Sequence, residues 1–456
     1  MMRSESWSTV KAAIIVLFAT IYFADVQAQR QPVYSNQPKK VVCLYNSTSY
    51  TREGLGKVSI TELEPAVAFC DVLVYGYAGI DPNTNKVHAL NASIDLDGGH
   101  GLYRQVTNLK QKYPKLKVLL GIGGNADPNK EIYLELLENP HAYAIFINSA
   151  YTLVKTYNFD GLDLAWQFKP NKPKRIRSGV GSFWYSTKKT LGLAGKPLDE
   201  NAEIHKNGFK NLVRSVKDAI RPDNYILSVT VLPNVNTTLF YDVQGIIPHV
   251  DYVTLAAYDF QTWERNNYEA DYPAPIYPLH DRIPESNVDS QVHLWLSSGA
   301  PPNKIIVAIP THGRSWQLTQ DSTKTGVPPI LEVNNPGAPG IESQQPGYLT
   351  YPEVCSKLPT ERNINLKDEN QPLRRVNDPT HRYGNYAYRL PNSNGDYGFW
   401  VGFEDPDSAQ SKAAYVVNKN LGGVAIHDLN SDDFRGACTG DRYPILRAAK
   451  HRLGQP

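Results

Sequence analysis

Asp160-Gly161-Leu162-Asp163-Leu164-Ala165-Trp166-Gln167 alternates between polar or small residues and large apolar ones. On a β-strand successive side chains face opposite ways. Asp163, Ala165 and Gln167 therefore share one face, and Leu162, Leu164 and Trp166 share the other. A strand that ends with an acid, a small residue and an amide facing inward has the layout of a ligand or catalytic site. Asp163 can hold a charge or a proton. The Gln167 amide can donate a hydrogen bond but has no titratable proton to release. No CxxC motif or histidine cluster occurs, so neither a metal site nor a cofactor is expected.

These residues need a scaffold, and the sequence repeats one. Nearly continuous apolar runs occupy residues 40–44, 72–77, 117–122, 161–166, 226–231, 252–257, 305–309 and 423–427. Such runs suit strands buried on both faces. Amphipathic stretches at 101–113, 142–157, 202–220, 289–298 and 407–420 lie between them. Eight strands alternating with helices predict an α/β fold, a closed parallel TIM (β/α)8 barrel, with an open doubly wound sheet as the alternative. Residues 317–396 break the alternation with many Pro, Gly and Asn, and predict a small α+β insertion between strands seven and eight. The expected layout is a leader (1–28), the first part of the barrel (29–316), the insertion (317–396) and the last part of the barrel (397–456). A second irregular stretch, 168–198, carries Lys169, Lys172, Lys174, Arg175, Arg177, Lys188, Lys189 and Lys196 and no acid. It could attract an anionic surface, or be a solvated loop.

Composition bounds the function. The chain has 456 residues, 28 Tyr, 7 Trp and a net charge of only +2, which gives no reason to expect a nucleic-acid partner. Arg3 and Lys11 precede an apolar run over 12–24, and Val26-Gln27-Ala28 resembles a cleavage site. This pattern predicts secretion, with no membrane span after the leader is removed. Secretion makes disulfides expected among Cys43, Cys70, Cys355 and Cys438. Three pairings are open, and spacing favours Cys43–Cys70 with Cys355–Cys438. Glycosylation sequons begin at Asn46, Asn91 and Asn236, with Asn236 preferred because it follows a strand in a polar loop.

The 160–167 run resembles the signature of family 18 glycoside hydrolases, the chitinases, where the inward positions read Asp-x-Asp-x-Glu. Lys117–Gly123 with Gly124, Ala257-Tyr258-Asp259-Phe260, Ile309-Pro310-Thr311-His312-Gly313-Arg314, and Gly422-Gly423-Val424 through Asp432-Asp433-Phe434 resemble four further motifs of that family, in order. In the family the Glu protonates the leaving oxygen and the middle Asp orients the substrate's acetamido group. Here those positions hold Gln167 and Ala165. Loss of a general acid costs roughly 10²–10⁴-fold, and loss of charge stabilisation about 10²–10³-fold more. The resemblance therefore implies no catalytic residue, and leaves Asp163 a structural role.

Aromatic positions depart as well: His427 replaces the expected floor Trp, Asn125 another Trp, and His312 a Tyr. Tyr258, Asp259, Gln167, Trp166 and His427 are the candidate ligand-binding residues. The losses are similar to those of the imaginal disc growth factors, secreted chitinase-like proteins of insects. That resemblance implies a growth factor acting through a cell-surface receptor or matrix partner. The alternative is a lectin for chitin or another glycan.

Overall fold

Each apolar run supplies one strand of a single parallel sheet. The strands are Lys40–Asn46, Val72–Ile80, Lys117–Gly123, Gly161–Ala165, Ile226–Val231, Tyr252–Leu255, Ile305–Pro310 and Gly423–His427. Each pairs with its neighbour in chain order, and the first also pairs with the eighth, so the sheet closes and the open-sheet alternative is discarded. The computed structural model describes residues 38–173, 197–280, 282–322 and 326–454. The leader over 1–28 lies outside the described residues, as does most of the basic stretch. Among the described residues, no helix is long and apolar enough to cross a membrane.

Period-2 alternation divides the apolar side chains into two layers. Val42, Leu44, Val72, Val74, Leu119, Ala165, Ile306, Ala308 and Ala425 pack together inside the barrel. Their neighbours Val41, Cys43, Leu73, Leu162, Leu164, Val307 and Val424 face outward into a larger core beneath the helices. Helix Ala202–Ile220 shows how that core is covered. It buries His205, Phe209, Leu212, Val213, Val216 and Ile220, a helical stripe at three- and four-residue steps. Side chains cap the later helices: Asn287 accepts from the Ser290 N–H, and Asp405 from the Ser408 N–H.

The insertion is wider than the sequence pattern predicted. Its six-stranded sheet begins with His312–Leu318, two residues past the seventh barrel strand, and ends with Gly398–Phe403. These two strands pair antiparallel along their whole length. The predicted limits of 317–396 cut through the first strand and left out the last. Local pattern could not reveal their partnership, because the chain between them is long. A buried cross-strand pair marks the junction: Trp316 lies opposite Trp400, with ring centroids 5.5 Å apart.

Two disulfides fix the ends of this arrangement. Cys43–Cys70 ties the first strand to the turn before the second. Cys355–Cys438 ties the insertion helix Tyr351–Ser356 to the chain after the eighth strand. The second bridge spans 83 residues, so chain entropy assigns it the larger stabilisation. Replacing Cys355 and Cys438 together with Ser is expected to lower unfolding free energy by about 3–4 kcal/mol in denaturant titration. A loss under about 1 kcal/mol would mean that the insertion holds its place without the bridge.

Candidate functional site

The C-terminal ends of the barrel strands converge on one mouth, and the fourth strand delivers the acid–small–amide series to it. Parallel register sets Asp163 beside Ser228 of the fifth strand. The Ser228 hydroxyl donates to Asp163 Oδ1 at 2.6 Å, and Thr230 Oγ1 lies 2.9 Å from Oδ2. Burial pushes the Asp163 carboxyl up to about 6, although both hydroxyl bonds oppose the shift. Ala165, next on the same face, is fully buried in the inner cluster. Both Asp163 oxygens are thus bonded to strand hydroxyls below a buried alanine, with no second acid within the series.

Gln167 ends the series, 7% exposed. Its Nε2 donates to the Asp127 backbone carbonyl at 2.9 Å. Asp127 is itself held by the Ile80 N–H and the Tyr133 hydroxyl, both on Oδ2. A glutamate in the same rotamer would set an oxygen against that carbonyl oxygen, an arrangement open only to its protonated form. Above the third strand the backbone turns at Gly124, with φ +57°. A Cβ there would lie 2.5 Å from the Tyr77 ring, so the turn fits glycine alone.

The opposite wall is a clamp. Asp259 Oδ1 accepts from Arg314 Nε at 2.8 Å and from His312 Nε2 at 3.0 Å, while Oδ2 accepts from Arg314 Nη2 at 2.5 Å. Burial works to raise the Asp259 carboxyl, but Arg314 and His312 outweigh it and hold the group well below the usual carboxylate range. His312 stacks on Tyr348 at 4.7 Å, and the Tyr348 hydroxyl meets Ser431 Oγ at 2.8 Å. The Tyr258 hydroxyl lies 3.1 Å from His427 Nδ1. Loss of solvent, then the charge of His312, push the His427 imidazole down to about 4, so it is neutral at ordinary pH.

One expectation changes. Trp166 cannot contact a ligand in the mouth: it is fully buried on the outer layer, donates Nε1–H to the Tyr133 carbonyl and packs on Tyr133, Phe146 and Phe209. Asp259 accepts three hydrogen bonds from Arg314 and His312, two on Oδ1 and one on Oδ2. Asn236 is half-buried and caps the Leu239 N–H, whereas Asn91 is exposed, with its side-chain oxygen accepting from Ser93 Oγ. Asn46 is half-buried and bonded to Thr48. Tyr258 and His427 are in contact, whereas Gln167 is bonded to the Asp127 carbonyl.

Two features escaped the sequence reading. A groove of about 1000 Å³ runs beside the mouth, bordered by the ends of the fifth and sixth strands at Val231 and Leu255, by Arg265 and by Leu294 of helix Val288–Ser297. No motif marked it, because its walls come from five separate segments. The other is Asp428, whose Oδ1 is buried without a hydrogen-bond partner. A carboxylate directly after the eighth strand was the available signal.

The mouth sits in a barrel of known lineage. Residues 40–432 match glycosyl hydrolases family 18, and the chain belongs to that family. Within it the chain is 52% identical over 449 residues to Chitinase-like protein Idgf4 of Glossina morsitans morsitans, covering 97% of this chain and all of that one. It is 51% identical over 454 residues to Imaginal disk growth factor 6 of Drosophila melanogaster, covering 97% and 99%. Catalytic domain 2 of the Group II chitinase of Ostrinia furnacalis superposes with a TM-score of 0.75 at 25% identity, covering 92% and 98%. Human YKL-39, described as a pseudo-chitinase with retained chitooligosaccharide binding, superposes at 0.72 with 25% identity, covering 91% and 100%.

The raised Asp163 carboxyl makes stability depend on pH. A carboxyl with a higher pKa in the folded state binds more protons there, so stability falls as pH rises from about 4 to about 6. Asn at this position keeps the hydroxyl bonds without the titration. Asp163→Asn is therefore expected to match the parent near pH 4 and exceed it by roughly 3 kcal/mol at pH 7.5. Thermal unfolding at both pH values measures the difference, and parallel curves for the two proteins would refute the buried-charge assignment.

Proposed function

We propose that this chain is a secreted, non-hydrolytic chitinase-like growth factor acting on cells through a receptor or an extracellular matrix partner. The observation that carries the reading is Gln167 at the proton-donor position, with its amide committed to the Asp127 carbonyl. A carboxamide has no proton to give the leaving oxygen. Ala165 supplies nothing to orient an acetamido group, and Asp163 is bonded to strand hydroxyls. The relatives named as imaginal disk growth factors and chitinase-like proteins support a role in growth rather than digestion.

A second reading, glycan binding without hydrolysis, has its own support. Tyr258 and His427 are in contact at the strand ends, and YKL-39 is described as keeping chitooligosaccharide binding in a pseudo-chitinase. The two readings are compatible, because a glycan could be the matrix partner.

Fluorogenic chitotriose is expected to give no release above buffer between pH 4 and 8. Ala165→Asp combined with Gln167→Glu should recover little, because His427 leaves the floor of the cleft without its indole. Purified protein should raise proliferation of responsive cells with dose in defined medium. Turnover by the parent protein would overturn the non-hydrolytic reading, and a flat dose response would overturn the growth-factor reading.

A further inference from the structure

The groove beside the mouth has an attachment point in its own wall. Asn236, Thr237 and Thr238, the three residues of one sequon, all line it. Asn236 is half-buried, and Thr238, the hydroxyl residue that the sequon requires, is exposed. Asn236 Oδ1 accepts from the Leu239 N–H at 3.1 Å and so caps the short helix Thr237–Phe240. That bond uses the oxygen and leaves the amide nitrogen. Among the described residues Nδ2 reaches Asn171 Oδ1 alone, at 3.4 Å, longer than an ordinary N–H···O bond. An asparagine held by its oxygen can be modified at nitrogen without losing its cap. Neither Asn91 nor Asn46 borders the groove.

The walls indicate what the groove can take. Asn171, Gln261, Asn266 and Gln291 bring amides to it, and Phe260 and Leu294 bring apolar groups. Sugar hydroxyls pair with amides, and sugar C–H faces pack on apolar side chains. The groove measures about 1000 Å³, the upper end of the roughly 300–1,000 Å³ of pockets that bury most of a small ligand. A saccharide tethered at Asn236 needs little affinity to stay there, because attachment keeps its local concentration high.

We propose that Asn236 carries an N-linked oligosaccharide whose first sugars lie in this groove, so that the chain's own glycan fills it. This rests on the secretion that the reading above includes. The Asn236 amide nitrogen attacks the anomeric carbon of a lipid-linked oligosaccharyl pyrophosphate. An N–C bond forms and the C–O bond to the pyrophosphate breaks. The lipid pyrophosphate leaves with the electron pair, and the nitrogen gives up one proton. One N–H remains on the nitrogen, and Oδ1 keeps its bond to Leu239.

Full-length protein recovered from the medium of cultured eukaryotic cells tests it. Peptide mass spectrometry should find a glycan on Asn236. Thr238→Ala should remove that glycan and Thr238→Ser should keep it, and both variants leave Asn236 and its cap in place. Deuterium exchange at the backbone amides of 260–266 should be roughly threefold faster in Thr238→Ala than in Thr238→Ser, because the groove is then open to solvent. If the medium holds protein with Asn236 unmodified, the proposal fails and the secretion reading stands. A glycan on Asn236 with equal exchange in the two variants overturns its seat in the groove. If no protein reaches the medium, the secretion reading falls and the proposal with it.

Discussion

The hydrogen bond from the Gln167 amide to the Asp127 carbonyl fixes what the barrel mouth can do. It joins the end of the fourth strand to the loop after the third. The same two segments are joined again by the Gly124 N–H to the Ala165 carbonyl at 2.8 Å, and by Trp166 Nε1–H to the Tyr133 carbonyl. Tyr133 in turn holds Asp127. A carboxamide satisfies this network as a donor, where an ionised carboxylate would present a second acceptor to an acceptor. The network that steadies the mouth is thus matched to a side chain unable to act as an acid. The bond admits a carboxamide or a protonated acid and excludes an ionised carboxylate.

A second constraint comes from the insertion. Its first strand starts at His312, and both His312 and Arg314 reach back to Asp259 at the end of the sixth barrel strand. Asp259 itself adopts φ +54°, an uncommon conformation for a residue with a Cβ. The bonds from Arg314 and His312 oppose that conformational cost and join the insertion sheet to the barrel. The polar groups of this wall bond chiefly to one another.

Much of the architecture was legible because it depends on local period. Continuous apolar runs gave the eight strands, and the 202–220 stripe matched its helix end to end. Period also placed Asp163, Ala165 and Gln167 on the inner face. The same alternation places Trp166 outward, so counting it as a ligand residue went against the geometry of its own strand. What stayed hidden was non-local. Gly398–Phe403 reads as an isolated apolar run until it pairs with His312–Leu318. Asp259 reads as an available acid until Arg314 arrives from a different strand. Period says which way a side chain points, and says nothing of what meets it there.

Asp163 shows what holds an acid inside the barrel. Ser228 and Thr230 stand at successive inward positions on the fifth strand, and both are buried. Each hydroxyl needs an acceptor, and Asp163 supplies one from the facing strand. Removing the acid side chain would strand two buried polar groups, while keeping it costs only the desolvation that raises its pKa. Ala165 bears no comparable obligation, since its neighbours in the inner cluster are apolar. The inward positions therefore differ in freedom to change: a residue bonded to the barrel wall is held, and one facing only apolar packing is free. By this argument the retained Asp163 is a mark of hydrogen-bond accounting inside the barrel, and carries no information about hydrolysis.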